Sequence, residues 1–331
     1  KMDKADAEQK AMINKLSAEF SSELNNLGVR VGNLEKKVGT VKFGGDARVR
    51  WVNKDNVDSD FHQRVRLVGQ GDINENTSVY LRWMVLNHNE FGTYNTAATN
   101  VMSDAYITHK GLMGNTDAKV GRYSLNLGQT TYFAGTTGMI DGAELKYTNS
   151  KMSLAGGYAD TNALSQAYGG STIGNIYYAD LNYKFDDKVQ ANAFYLKGQD
   201  DVGVKVYGVG TTWQFAQDWK FVGDYWKNSD ADNAKGQVYR IAYKGAKASV
   251  PGSWGAHVEY LKIESGSNNS KWSGAMVPVS NVKGYAFQYS NTLSKNVVAD
   301  VIYAFNLKDA YTGADYADGK TYTRLQINYM F

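Results

Sequence analysis

Apolar and polar residues alternate one by one through most of the chain after residue 40, and this period of two constrains the fold more than any other feature. The last nine residues, TRLQINYMF, are typical: Arg324 begins the polar series, and Tyr329 and Phe331 end the apolar one. Successive side chains of a β-strand point to opposite faces, so each such segment has one apolar and one polar face. The alternation therefore predicts an all-β fold for residues 41–331.

The pattern predicts sixteen strands joined by connections that are alternately short and long. The short ones are NENT, TNSK, DDK, AQD and NTLSK, and the long ones include 89–100, 124–140 and 264–281. The connections at 199–203 and 245–252 fit this alternation less well. We expect the strands at residues 41–52, 61–73, 77–88, 101–110, 116–123, 141–149, 151–160, 175–185, 188–198, 204–215, 218–228, 236–246, 253–263, 282–291, 295–306 and 320–331.

Composition indicates where the apolar faces lie. Aromatic residues make up 13% of the chain, with 24 Tyr and 34 Gly but only 2 Pro, which suits strands and turns. Mean hydropathy is −0.47, and no apolar run is long enough for a spanning helix. An even number of strands near ten residues long is typical of a transmembrane β-barrel, whose closure satisfies every backbone group in lipid. A soluble β-sandwich is the alternative, but its outer face would be polar, whereas here the apolar face is rich in Tyr and Trp.

The number of strands also predicts an orientation. With sixteen strands, both ends of the barrel lie at the rim that carries the short turns, and in outer-membrane barrels this rim faces the periplasm. We therefore expect the barrel in a bacterial outer membrane and residues 1–40 in the periplasm. The first residue is Lys and no apolar leader precedes it, so we expect that any signal segment has been removed.

The first forty residues follow a helical period. Their apolar residues recur at spacings of three and four, which form a heptad seam with one four-residue stutter. A seam this narrow buries little apolar surface when one helix stands alone, and we therefore predict a coiled-coil stalk over 1–40. A single helix packed on the rest of the chain is the alternative. Gly28 and Gly32 each weaken the helix by about 1 kcal/mol relative to Ala. The seam comprises Ile13, Leu16, Phe20, Leu24, Leu27, Val31, Leu34 and Val38.

The stretch SDAYITHKGLMGNTDAKVGRYSLNLG (103–128) resembles the signature of the general trimeric porins of Gram-negative bacteria, in which a strand ending in Gly-Arg leads into a long loop. In that family the third loop folds into the barrel and narrows it, and the resemblance implies the same for residues 124–140. Strict alternation groups Arg122 with Ala118 and Val120, so the family's placement of this arginine in the pore requires a bulge or a strand that has already ended. The implied constriction residues are Asn126, Gln129, Tyr132, Phe133, Arg122, Asp141 and Glu144.

Residues 27–38, LGVRVGNLEKKV, resemble the coiled-coil connector of the OmpM-type porins of diderm Firmicutes such as Veillonella and Selenomonas. The resemblance implies a homotrimer in contact with outer-membrane lipid and lipopolysaccharide. It also implies an S-layer-homology domain upstream of residue 1 that binds peptidoglycan or a secondary cell-wall polymer. In outer-membrane barrels a terminal aromatic residue is read by the assembly machinery, so Phe331 is expected to be an insertion signal and, with Tyr329, part of an aromatic girdle.

Seven of the eight arginines after residue 41 fall in the polar series. Each would cost roughly 2–4 kcal/mol if it faced lipid near the midplane, so we expect them to face the lumen. Strand sixteen closes against strand one, which brings six of them to one wall as a basic ladder. Loop 124–140 carries no opposing charge, so we predict a mild preference for anions; the alternative is an ordinary polar lumen in which acids such as Asp46 dilute the charge. The seven are Arg48, Arg50, Arg64, Arg66, Arg82, Arg324 and Arg240.

No other chemistry is indicated by the sequence. The four His lie on different strands without a nucleophile–base arrangement, so we expect no enzyme activity and no catalytic residue. No metal-ligand spacing or phosphate-binding glycine loop has a suitable context, so neither metal nor cofactor is expected. The net charge of +3 argues against a nucleic-acid partner. The predicted function is passive diffusion of small hydrophilic solutes and ions through a water-filled pore, with the stalk linking the membrane toward the cell wall; a primarily structural tether is the alternative.

Overall fold

The computed structural model describes residues 6–38, 41–90, 99–135, 139–161, 173–199, 203–267 and 272–331. The chain divides into two units, Lys1–Lys42 and Phe43–Phe331. The first unit contains one helix and the second contains the β-strands that follow it. Within the described residues, no helix combines the length and the apolar character needed to cross a membrane.

The helix α1 spans Ala7–Val38. It begins at a capping box, in which the amide of Gln9 donates to the Asp6 carboxylate (2.8 Å) and the amide of Asp6 donates to the Gln9 side-chain oxygen (3.3 Å). Several apolar side chains of the predicted seam are exposed in the single chain, namely Ile13, Leu16, Phe20 and Leu27. The side chains of Leu24, Val31, Leu34 and Val38 lie outside the described part of the structure.

Sixteen strands follow, as the alternation predicted: β1 (Val41–Lys54), β2 (Val57–Asp72), β3 (Thr77–Glu90), β4 (Thr99–Met113), β5 (Thr116–Ser124), β6 (Met139–Thr148), β7 (Met152–Asp160), β8 (Asn175–Lys184), β9 (Val189–Gly198), β10 (Lys205–Ala216), β11 (Trp219–Asn228), β12 (Lys235–Lys244), β13 (Trp254–Ile263), β14 (Val282–Ser294), β15 (Val297–Asp309) and β16 (Tyr322–Met330). Each strand is hydrogen-bonded to its neighbours in the sequence, and β16 returns to β1. The sheet is therefore a closed antiparallel barrel in which no strand edge is left open.

The barrel closes where the last strand meets the first. β16 runs antiparallel to β1, with Tyr329 opposite Ala47. The pairing continues through the last residue, because the amide of Phe331 donates to the carbonyl of Gly45 (3.1 Å) and the amide of Gly45 donates to the carbonyl of Phe331 (2.9 Å). A Cβ at Gly45 would lie 2.9 Å from the Phe331 ring, so the glycine leaves room for that ring beside β1.

The alternation of the sequence becomes an alternation of exposure. On β16, Leu325 is 41% exposed, whereas Arg324 and Gln326 are 4% and 5% exposed. On β13, Val258 is exposed and its neighbour Glu259 is buried. Because the barrel is closed, the exposed apolar series forms its outer surface and the buried series faces the lumen.

Two inward-facing glycines make room for aromatic rings on the adjacent strand. Gly208 lies opposite Phe194, and Gly236 lies opposite Trp226. A Cβ at either glycine would lie 2.0 Å from the nearest ring atom of its partner. Each ring therefore occupies the space of the missing side chain and is held against the inner wall.

The connection between the first two strands is shorter than predicted. β1 and β2 extend to a turn of Asp55 and Asn56, where the sequence suggested a break from 53 to 60. The last long connection holds this turn, because the amide of Thr321 donates to the Asp55 carboxylate (2.8 Å) and Lys54 pairs with Asp318 (2.7 Å). The hydrogen bond from the Thr321 hydroxyl is the main reason that the pKa of Asp55 is lowered. Local alternation does not reveal these contacts, since their partners lie more than 260 positions apart.

Candidate functional site in the barrel lumen

All seven arginines of the predicted ladder belong to the inward-facing series. Six lie on the adjoining strands β16, β1, β2 and β3, and Arg240 lies on β12. The register of the closing seam sets Arg48 opposite Asn328 and Arg50 opposite Gln326. One wall of the lumen is therefore rich in guanidinium groups.

Three arginines of this wall are paired with carboxylates. Asp46 accepts hydrogen bonds from both Arg64 (2.8 Å) and Arg66 (2.7 Å). Asp104 forms an ion pair with Arg82. Such charge-assisted bonds are roughly twice as strong as neutral ones, and they cancel much of the positive charge of this part of the ladder. Asp46 was recognised from the sequence as diluting the charge, whereas Asp104 was missed.

The remaining three arginines of the wall lack a carboxylate partner within the described residues. Arg324 donates to the Gln326 side-chain oxygen (2.9 and 2.6 Å) and to the carbonyl of Met276 (3.2 Å). Arg50 donates to the same Gln326 oxygen (3.4 Å). The Nε of Arg48 is buried and has no hydrogen-bond partner. The positive charge of the wall is thus concentrated at these three side chains.

The segment between β5 and β6, described to residue 135, contacts inward-facing side chains of distant strands. The Asp224 carboxylate on β11 accepts hydrogen bonds from the amide of Gln129 (2.9 and 3.0 Å), the amide of Thr130 (2.6 Å) and the Thr130 hydroxyl (2.5 Å). Asn126 is exposed, and its side-chain amide donates to the carbonyl of Ser124 (3.3 Å). The uncharged segment is therefore held by a buried acid of the opposite wall, which sequence reasoning did not identify.

A second buried acid holds the same segment. The Tyr132 hydroxyl forms a hydrogen bond with Glu259 on β13, and Glu259 also pairs with Arg240 on β12 (2.8 Å). Tyr132 is 1% exposed. Arg240 is therefore neutralised locally and supports the loop contact, rather than extending the uncompensated part of the basic ladder.

Aromatic packing completes the attachment of this segment. The Phe133 ring stacks on Phe194 at 5.1 Å between centroids, and contacts Trp226 at 5.9 Å and Trp272 at 6.4 Å. All four side chains are buried in one apolar cluster. The lumen is thus partly filled by a packed apolar layer, although the inward-facing positions were predicted to be polar.

Residues 272–277 form a second element inside the barrel. The amide of Gly135 donates to the carbonyl of Trp272 (2.7 Å), and the amide of Gly274 donates to the carbonyl of Thr131 (3.0 Å). The two segments, together with strands β12 to β15, enclose a cavity of about 180 Å³. The sequence contained one signal for this element, the apolar run AMVPV (275–279) in an otherwise polar connection.

An amide cluster lies beside the first of these segments. The Gln129 side chain donates to Asn182 (3.4 Å) and accepts from Gln190 (2.9 Å) and Thr212 (3.0 Å). Asn182 donates in turn to Asp180 (2.5 Å). These bonds fix Gln129, one of the predicted constriction residues, against β8 to β10.

Two predicted constriction residues lie on the other face of the barrel. Arg122 and Asp141 form an ion pair (2.7 Å) between β5 and β6, in the same series as Val120, which is 59% exposed. Alternation was therefore the better guide for Arg122 than the family pattern, because no bulge reverses its direction. Glu144 does face the lumen, where it pairs with Lys119 (2.7 Å).

The outer surface carries aromatic residues near both rims. Toward the rim of the long connections, Tyr158 lies beside Tyr177 (4.9 Å between ring centroids). Toward the rim of the short turns, Tyr243 lies beside Trp219 (4.7 Å) and Trp254 (5.4 Å). Tyr329 and Phe331 are exposed, at the end of the last strand. Aromatic rings in two such bands are typical of a surface that meets lipid head groups on both sides.

No group of three or more metal-ligating side chains occurs among the described residues. His257 lies 3.8 Å from Glu259, a carboxylate already shared by Tyr132 and Arg240. The described part of the lumen therefore presents charged and amide groups.

Comparisons with known proteins identify the fold. The structure resembles a triple mutant of the porin of Rhodopseudomonas blastica, with a TM-score of 0.57 and 9% sequence identity. The comparison with a second mutant of the same porin gives a TM-score of 0.57 and 10% sequence identity. Each comparison covers 88% of this chain and 100% of the other. No family model and no curated protein matches the sequence. The barrel thus has the porin fold.

Proposed function

We propose that the chain is an outer-membrane porin that allows small hydrophilic solutes and ions to diffuse passively through its barrel. The observation that carries this proposal is a closed sixteen-strand barrel with an apolar outer face and a charged inner one. Closure leaves no unpaired edge, so such a sheet is stable within lipid. The mutant porins of Rhodopseudomonas blastica share this fold, which supports the same use.

The segments 125–135 and 272–277 are proposed to narrow the pore. The first is anchored to the β9 to β13 side by buried acids and aromatic rings. The second is hydrogen-bonded to the first and accepts a hydrogen bond from Arg324 on β16. The free cross-section then lies toward the arginines of β1, β2 and β3. Solutes pass between these arginines and the anchored segments.

Planar-bilayer recording of the purified protein tests the channel. We expect discrete conductance steps, in groups of three if the assembly is a homotrimer. A protein that inserts into the bilayer without any conductance would refute the proposal. Hydrolysis assays on lipid and peptide substrates, expected to be negative, distinguish the porin from barrel enzymes.

A mild preference for anions is proposed because three inward arginines lack a carboxylate partner among the described residues. Low-dielectric walls strengthen the field of such charges in a narrow pore. The reversal potential across a KCl gradient measures the preference. A value that shows clear cation selectivity would contradict it.

The helix α1 is proposed to form a trimeric coiled-coil stalk of an OmpM-type porin in the periplasm. Its exposed apolar seam supports self-association, since one helix leaves Ile13, Leu16 and Phe20 uncovered. An upstream S-layer-homology domain would join the stalk to peptidoglycan or a secondary cell-wall polymer, while the barrel contacts lipid and lipopolysaccharide. Sedimentation of a peptide of residues 6–38 tests the association: a monomer at all concentrations would contradict it.

A primarily structural tether is the second candidate, favoured by the same seam. The two functions separate experimentally by deletion of residues 1–40. If the barrel conducts by itself, the deletion leaves single-channel conductance intact while envelope attachment weakens. Loss of conductance in a correctly folded barrel would contradict this division between stalk and pore.

A further inference from the structure

We propose that Arg48, Arg50 and Arg324 form a discrete binding site for a small divalent oxyanion on the inner wall of the barrel. The inference rests on the proposed porin function and identifies which part of the arginine wall meets the solute. It differs from a diffuse basic field, because half of the six arginines of the wall are excluded from it.

The excluded arginines are neutralised by their own partners. Arg64 and Arg66 share the Asp46 carboxylate at 2.8 and 2.7 Å, and Arg82 pairs with Asp104. A guanidinium that already donates to a carboxylate has less to offer an incoming anion, and the two carboxylates cancel two of the three positive charges. Their contribution to solute binding is therefore small.

Among the described residues, Arg50 and Arg324 donate only to neutral acceptors, and no acceptor is found for Arg48. Arg50 donates to the side-chain oxygen of Gln326 at 3.4 Å, and Arg324 donates to the same oxygen at 2.9 and 2.6 Å. An amide oxygen satisfies hydrogen bonds but supplies no negative charge. The two guanidinium groups are thus held together by an acceptor that leaves both positive charges uncompensated.

One carboxylate next to Gln326 relieves part of this charge without pairing directly with an arginine. Asp300 lies opposite Gln326 on the adjacent strand, but its oxygens accept from Ser290 (2.5 Å), Gln326 (2.7 Å) and Asn328 (2.9 Å). These amide and hydroxyl donors occupy the carboxylate. Asp300 therefore positions Gln326 for the arginines and forms no ion pair with them among the described residues.

Arg48 is the arginine best able to meet a ligand. It is the next inward-facing residue after Arg50 on β1, about 7 Å along the strand. It is partly exposed, while its Nε is buried without a partner. Arg324 is buried and donates to the carbonyl of Met276. It therefore holds the arrangement of the site in place and contributes its positive charge from a buried position.

The ligand class follows from the number of charges and the shape of the donors. Guanidinium groups present forked N–H donors that match carboxylate and phosphate oxygens. Three guanidinium groups beside the one carboxylate of Asp300 leave a net charge of +2, which favours an anion with two negative charges over one with a single charge. Inorganic phosphate, largely divalent above neutral pH, is the appropriate probe, and acetate is the monovalent comparison.

Calorimetric titration of the purified full chain with phosphate at low ionic strength tests the site independently of conduction. We expect saturable binding with one phosphate per barrel. Arg48→Gln should weaken it about tenfold, because a charge-assisted hydrogen bond is lost. Since Arg48 has no partner to lose, this variant leaves the wall intact; Arg50→Gln is the second variant. Acetate should bind more weakly than phosphate.

The matched control is Arg66→Gln, which removes the same charge from the same wall but from a side chain that already donates to a carboxylate. We expect it to change phosphate affinity less than about threefold, because Arg66 already donates to Asp46 and its replacement removes no hydrogen bond to the ligand. Equal weakening by Arg66→Gln and Arg48→Gln, acetate binding as tight as phosphate binding, or no saturable binding would overturn the site. A conducting channel without phosphate binding refutes only this inference, whereas phosphate binding without conductance refutes the porin function.

Discussion

Replacement of Asp224 should release the inward segment from the barrel wall. This buried carboxylate accepts two backbone amides and one hydroxyl from Gln129 and Thr130. Asp224→Ala leaves the two backbone donors without an acceptor, at about 1–3 kcal/mol each. Local opening of residues 128–131 should then become easier by about 2 kcal/mol or more, which corresponds to at least about 30-fold faster amide exchange.

Hydrogen-exchange mass spectrometry on a peptide spanning 125–132 measures this change. Asp224→Asn should give an intermediate effect, because a neutral amide oxygen still accepts but the bond loses its charge assistance. Asp187→Ala, an exposed carboxylate paired with Lys184 on a short turn, serves as the control and should leave the peptide unchanged. Exchange in Asp224→Ala within about threefold of the parent would refute the anchoring role, because it is far below the expected cost.

Three further outcomes are expected. Phe133→Ala should lower stability by about 3–5 kcal/mol, measured by denaturant unfolding in detergent, since its ring lies in the buried apolar cluster. Gly208→Ala should lower the free energy of unfolding by about 1–3 kcal/mol, because the new Cβ displaces Phe194. The control Gly245→Ala, with no atom within 4 Å of the new Cβ, should leave stability nearly unchanged. Equal losses of stability in the two variants would contradict the packing argument. The lowered pKa of Asp55 means that its contacts stabilise the last long connection at neutral pH and are lost as the pH falls through that pKa. A spin label on that connection should gain mobility only in acid, and Asp55→Asn should abolish this pH dependence.

Much of the candidate site could be read from the sequence, because strand alternation decides which face a side chain takes. It assigned the seven arginines to the inner series, and it grouped Arg122 with the exposed Val120, although the family resemblance led us to expect Arg122 in the pore. Alternation did not identify the side chains with which these residues form ion pairs and hydrogen bonds. Asp104 and Asp224 are ordinary polar positions in the sequence, and their roles depend on strands and loops far away along the chain.

The sequence by itself determined the number of strands, the period of each face and the helical start of the chain. Period and propensity are local properties, and each strand carries them independently of its neighbours. Only the tertiary structure decided which arginines keep their charge, because neutralisation requires a carboxylate within a few ångströms of the guanidinium. It also decided that residues 272–277 enter the barrel beside the first inward segment, through contacts between residues about 140 positions apart. Such pairing across the lumen follows from barrel closure and has no local signature.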